Sequence, residues 1–242
     1  MNPIAFSIGG IDIYWYGILV ALAFLIGYLN TLGNIRRFDL DSDQVQDILF
    51  KLCIAVIVGA RLGVIVANLK YYLANPLEMF TRAGLGSHGA IITAMVLGYY
   101  WAKKAQIPYW TLGDAIAPPL TIGHIFVRMG NFINGELFGA PTDLPWAIEF
   151  PYSNGPVHPS QLYELIASLI ILPFSIKWTR TPKYPGYAFF RVMLLHSLVR
   201  IFVDFTRDST PILGPFVLTQ LLAIGFSIWM FFLILKNERN NK

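Results

Sequence analysis

Seven times along its length this chain offers a run of mostly apolar residues long enough to cross a bilayer as a helix. That recurrence limits the possible folds more than any other feature. A hydrocarbon core about 30 Å thick takes roughly 20 apolar residues in helical form. The runs are Ile13–Leu32, Val45–Leu69, Ser87–Ala102, Leu112–Phe132, Leu162–Trp178, Pro185–Phe205 and Pro215–Leu235. The fourth is the weakest, because it holds Asp114, Pro118, Pro119, His124 and Arg128. Of the 242 residues, 55% are hydrophobic and only 13% are charged, against about 25% charged in a typical soluble domain. So much apolar surface excludes a disordered chain, and the single Cys53 excludes a disulfide framework or a cysteine-rich metal site. No repeat, low-complexity tract or linker divides the sequence, so residues 1–242 read as one integral membrane domain. The expected fold is all-α, a polytopic membrane protein with seven transmembrane helices.

The cations between these runs alternate. Arg36, Arg37, Lys103, Lys104, Lys177, Arg180, Lys183, Lys236, Arg239 and Lys242 fall on one side, and only Lys70, Arg82 and Arg207 on the other. By the positive-inside rule the N-terminus is outside and the C-terminus cytoplasmic. The formal charge of +4 is therefore a topology signal rather than a nucleic-acid footprint. The N-terminus has no basic region followed by a small-residue cleavage site, so the first run is expected to stay as an anchor.

A charge at membrane depth costs several kcal/mol unless it is paired or lines a wet cavity. Arg61, Asp114, Arg128, Glu136, Glu164, Arg191, Arg200 and Asp204 all lie within or beside the runs, with His88, His124 and His196. Arg61, among small residues in GARLG, reads as a structural partner, and Arg191 as a side chain reaching for the interface. Asp114 and Glu164 fit either a structural or a functional reading. Arg200 and Asp204 stand four apart, so on a helix they share a face and can pair.

The segment Arg128–Gly139, RMGNFINGELFG, is too rich in Gly and Asn for a continuous membrane helix. Broken backbone at that depth survives only where protein or water covers it. Glycines there would let a ligand approach the backbone, Asn131 and Asn134 would supply donors and acceptors, and Arg128 carries a planar fork suited to phosphate. GLGSHGA around His88, HPSQLYE at 158–164 and YWYG at 14–17 are unexceptional singly: a helix start, a second helix start and an interfacial aromatic belt. HExxH, GxSxG and P-loop patterns are absent from the sequence, so no metal or cofactor is expected. The residues alone support an intramembrane polar cavity for a phosphate-bearing lipid.

RMGNFINGELFG followed by HPSQLYE resembles the signature of the bacterial prolipoprotein diacylglyceryl transferase family. YWYG, GARLG, SHGA, GDAIAPPL and VRIFVDFTRD agree in order, so the resemblance covers nearly the whole chain. It implies an enzyme of the bacterial cytoplasmic (inner) membrane, spanning it many times. That enzyme moves the diacylglyceryl group of phosphatidylglycerol onto the lipobox cysteine of preprolipoproteins and releases glycerol phosphate. A non-catalytic phospholipid-binding or lipid-transport paralogue is the alternative. The family's functional positions correspond to Tyr16, His88, Arg128, Asn131, Glu136, Gly139, Arg200 and Asp204. The roles that follow are Arg128 and Arg200 as a clamp on the leaving phosphate, and His88 as the base for the thiol, with Glu136 second. Glu136 could equally orient Arg128, Asn131 and Asn134 would hold headgroup hydroxyls or phosphate oxygens, and Tyr16 would support the lipid near the interface. At Asp204 the family usually has Glu, one methylene longer.

Overall fold

The computed structural model describes residues 2–80 and 86–241, apart from the side chains of Ser87 and His88. Each apolar run forms a long helix: α1 (Trp15–Ile35), α2 (Ser42–Ala67), α4 (Ser87–Lys104), α5 (Tyr109–Asn134), α6 (Ser160–Arg180), α7 (Tyr187–Asp204) and α8 (Leu218–Asn240). The eighth helix among the described residues, α3 (Leu69–Ala74), is short and is followed by a 3-10 turn at Pro76–Phe80. Four of them, α1, α2, α6 and α8, are both long and apolar enough to cross a membrane. Large apolar side chains such as Phe50, Val66, Ile228 and Phe232 stand exposed along α2 and α8. Exposed apolar surface on that scale belongs against lipid rather than water.

Two short antiparallel pairs accompany the helices. β1 (Ile4–Ile8) and β2 (Ile11–Tyr14) form a hairpin whose turn is Gly9–Gly10, both at positive φ, as a tight two-residue loop requires. The hairpin takes Ile13 and Tyr14, so α1 starts two residues later than the apolar run suggests. β3 (Ile148–Glu149) pairs with β4 (Pro156–Val157) in the segment between α5 and α6.

The chain divides into two compact units, Met1–Asn34 with Gly113–Lys242, and Ile35–Leu112. In the second unit α2 and α4 meet almost backbone to backbone. A Cβ on Gly89 would lie 2.8 Å from Gly63 Cα, the small-residue contact that lets membrane helices pack closely. The glycine beside His88 thus serves helix packing. Arg61 donates from Nε to the Met79 carbonyl at 3.0 Å and lies over the Tyr72 ring, which makes it the structural partner expected.

In the first unit α5 runs unbroken through Pro118 and Pro119. A proline donates nothing to the carbonyl four residues back, so the carbonyls of Asp114 and Ala115 are released. Thr179 Oγ1 of α6 donates to the first at 3.2 Å, and Asn34 Nδ2 of α1 to the second at 3.0 Å. The Asp114 side chain, fully buried, accepts from the backbone N–H groups of Gly186, Ala188 and Phe189 at 2.8 to 2.9 Å. It caps the N-terminus of α7 from another helix, which decides its role as structural. Ala117, Ile171, Ala188 and Val192 form the core joining α5, α6 and α7, and Ser197 and Ser227 hydrogen-bond between α7 and α8 at 2.8 Å. Arg191 bonds to Tyr184 Oη, pairs with Glu238 and stacks on Tyr187, near the C-terminal end of α8.

Candidate active site

Three arginines converge on one carboxylate in the first unit. Glu164, in the second turn of α6, is 1% exposed. Its Oε2 pairs with Nε of Arg128 from α5. Its Oε1 lies 3.1 Å from Arg200 Nη1 of α7 and 3.3 Å from Nη2 of Arg207, three residues past the end of α7. Asp204, the last residue of α7, takes the remaining edge of Arg200, with Nε on Oδ2 and Nη2 on Oδ1, both at 3.0 Å. It also lies 3.5 Å from Arg207 Nε and accepts from Thr219 Oγ1 of α8 at 2.6 Å. Asp204 therefore meets Arg200 with both oxygens.

Arg128, Arg200 and Arg207 meet Glu164 and Asp204 in direct ion pairs, and the carboxylate of Glu136 is linked to Arg128 through Asn131. Guanidiniums fixed in this way present planar donor forks suited to an anion. Outside the helices, burial and then repulsion from Arg200 hold the Arg207 guanidinium below its ordinary value, while Glu164 pulls the other way. Two histidines line the inner side. Arg128 Nε donates to His124 Nε2 at 3.3 Å, and His124 Nδ1 lies 2.8 Å from Ser168 Oγ, which itself donates to the Glu164 carbonyl. His196 packs edge-on against His124 and reaches Thr121.

On the other side α5 continues as helix through RMGNFIN and stops only at Gly135, at φ +68. The expectation of broken backbone from Arg128 onward is corrected: the break begins at Gly135. Helix continuity puts Asn131 one turn beyond Arg128, where its Oδ1 accepts from Arg128 Nη1 at 3.2 Å and its Nδ2 donates to Glu136 Oε1 at 2.8 Å. Asn134 Nδ2 reaches the same oxygen at 3.5 Å, and its own Oδ1 is buried with no hydrogen-bond partner among the described residues. Glu136 thus acts on Arg128 through Asn131, and its backbone carbonyl accepts from Gln161 Nε2 at 2.6 Å.

The glycines of this segment make room for protein. A Cβ on Gly130 would fall 2.7 Å from Tyr16 Cδ2, so Tyr16 lies directly on this stretch of α5. A Cβ on Gly139 would strike the Thr206 carbonyl, Ser160 Oγ and the His158 side chain. Gly139 N–H donates to the His158 carbonyl and Ala140 N–H to the Thr206 carbonyl, each at 2.7 Å. Gly139 therefore clamps the turn that carries Arg207.

Of the residues singled out by sequence, Tyr16, Arg128, Asn131, Asn134, Glu136, Gly139, Arg200 and Asp204 come together here. His88 sits in the first turn of α4, in the other unit, and its side chain lies outside the described residues. Arg207, Gln161, Thr219 and Ser160 are added by the structure. Arg207 counted in the sequence only as an exterior cation, and it reaches the cluster from the turn that follows α7.

Fold and site together define an integral membrane protein with a buried arginine–carboxylate cluster suited to an anionic group. Comparison with known proteins gives that class a family. The sequence model of prolipoprotein diacylglyceryl transferase matches residues 3–236. The chain is 36% identical over 234 residues to a phosphatidylglycerol--prolipoprotein diacylglyceryl transferase of Geobacter sulfurreducens, covering 92% of this chain and 90% of that protein. It is 37% identical over 240 residues to the like-named protein of Bordetella parapertussis, covering 94% and 88%. Against that of Finegoldia magna it is 34% identical over 231 residues, covering 94% and 92%. The chain belongs to the prolipoprotein diacylglyceryl transferase family.

Proposed function

We propose that this protein transfers the diacylglyceryl group of phosphatidylglycerol to the lipobox cysteine thiol of preprolipoproteins, as a seven-span enzyme of the bacterial cytoplasmic membrane with its N-terminus outside. The observation that carries the reading is the convergence of Arg128, Arg200 and Arg207 on Glu164 and Asp204. The phosphodiester of phosphatidylglycerol is an anion of the kind such fixed guanidiniums grip.

In the transfer, the cysteine sulfur bonds to the glyceryl carbon bearing the phosphate, the carbon–oxygen bond breaks, and the electron pair leaves on glycerol phosphate. Charge develops on the departing phosphate, so guanidiniums already fixed in place stabilise that moment most. Glu164 and Asp204 provide the fixing, since each arginine is held before any substrate arrives. The thiol, with an ordinary pKa near 8.5, must lose its proton. His88 is the first candidate to take it, because imidazole titrates near neutrality, and Glu136 is the second. Asn134 Oδ1, buried and without a partner among the described residues, is suited to accept from a hydroxyl of the glycerol headgroup. Tyr16 would support the lipid beside Gly130.

The reading is tested with the purified protein in phosphatidylglycerol vesicles and a synthetic lipobox peptide, by mass spectrometry of the peptide. The expected result is a diacylglyceryl mass increment on the cysteine. It should disappear with a Cys-to-Ser peptide and fall by about 100-fold or more with Arg128→Ala. Vesicles that yield no increment, while their lipid stays tightly bound to the protein, would turn the reading to a lipid-binding paralogue.

A further inference from the structure

The three arginines of the cluster are not held alike. Arg200 has Nε and Nη2 on Asp204 and Nη1 on Glu164, so all three of its nitrogens are engaged. Arg128 is fastened through Nε and Nη1, whereas Arg207 hydrogen-bonds through Nη2 alone, its buried Nε standing 3.5 Å from Asp204 Oδ1 without a hydrogen bond among the described residues. Among the described residues no partner meets Nη2 of Arg128 or Nη1 of Arg207. An engaged guanidinium braces its neighbours, whereas one held by one edge presents the other to a ligand.

Arg207 also has somewhere to present that edge. It lines a cavity of about 350 Å³ whose walls include Phe138, Gly139, Tyr152, Asn154 and Asp208. Its own side chain is 11% exposed. The turn bearing it is pinned at two points, by Ala140 N–H on the Thr206 carbonyl at 2.7 Å and by Ser160 Oγ with Thr206 Oγ1 at 2.9 Å. Gly139 admits that turn because it has no Cβ. The signature glycine, the cavity and the third arginine are therefore parts of one arrangement.

We propose that Arg207 is a substrate ligand, gripping the phosphate of the phosphatidylglycerol headgroup from the cavity side together with Arg128, while Arg200 braces both through Glu164 and Asp204. The headgroup glycerol then lies in the cavity, where Asn154 and Asp208 offer partners for its hydroxyls. The proposal rests on the transferase reading above, and it assigns the clamp to Arg128 and Arg207 instead of Arg128 and Arg200.

The test compares full-length wild type with Arg207→Gln and Arg207→Lys in two measurements. The first is transfer to the lipobox peptide, with KM for each substrate and inhibition by added glycerol phosphate. The second is calorimetric binding of glycerol phosphate to the detergent-solubilised protein. The expected result for Arg207→Gln is a rise of about 10-fold or more in KM for phosphatidylglycerol and in the glycerol phosphate constants. KM for the peptide should stay unchanged, and Arg207→Lys should recover part of the loss. An Arg207→Gln protein with wild-type KM and glycerol phosphate affinity overturns the proposal, even if its kcat or thermal stability falls. If wild type transfers nothing yet its glycerol phosphate affinity is lost in Arg207→Gln, the anion site stands and the transferase reading fails.

Discussion

Glu164 shows at the scale of one residue how this site is built. A single carboxylate, buried to 1% exposure, is the shared counter-ion of guanidiniums from three separate segments. Replacing it by an amide keeps the shape and removes the charge, leaving three arginines around one remaining acid, Asp204. Breaking a buried ion network from one side costs about 3–5 kcal/mol. Glu164→Gln is accordingly expected to lower stability by that amount, seen as a fall in the unfolding midpoint of the micelle-solubilised protein. A midpoint equal to wild type would show that the arginines do not depend on Glu164. Its sequence context is that of any acid near a helix start, favourable to the dipole there, so nothing local distinguishes it. Arg128 and Asn131 were legible because they sit in a dense and unusual string. Arg207 was not, and Glu164 stayed open between two readings, because their meaning lies in partners 36 and 43 residues away along the chain.

At the scale of the element, α5 departs most from its sequence. Two adjacent prolines and a run of Gly and Asn argue for interruption, yet the helix spans Tyr109–Asn134 without one. The carbonyls its prolines release are met by Thr179 and Asn34, satisfaction that comes from other helices and leaves no mark on the local string. Continuity is what places Arg128 and Asn131 one turn apart on one face, so the site depends on it. The carboxylate of Asp114 works in the same way, accepting three backbone donors at the start of α7. Asp114→Ala strands those buried N–H groups at about 1–3 kcal/mol each. A loss of at least about 3 kcal/mol is expected in chemical unfolding of the solubilised protein, and a change within 0.5 kcal/mol, the usual size of a neutral surface substitution, would contradict the capping role. What was legible at this scale is the seven apolar runs, because length and hydropathy are local properties. The β1–β2 hairpin was missed because Ile11–Tyr14 merges with the apolar run that follows it.

At the scale of the whole molecule, the proposed seven-span arrangement rests on the alternation of ten cations against three. It predicts that a phosphatase reporter, active only outside the cytoplasm, is inactive when fused after Lys242 and active when inserted near Asn154. The opposite pattern would invert the orientation and place the cluster at the wrong surface for exported preprolipoproteins. The central claim is that the cluster promotes one coupled exchange, sulfur for phosphate at a glyceryl carbon. It is tested most directly by counting both products in one reaction, with the glycerol headgroup of phosphatidylglycerol labelled and the lipobox peptide in excess. One glycerol phosphate is predicted for each thioether formed, with both products falling together by about 100-fold or more in Arg128→Ala. Headgroup released without modified peptide, or peptide modified with the headgroup still attached, would contradict it.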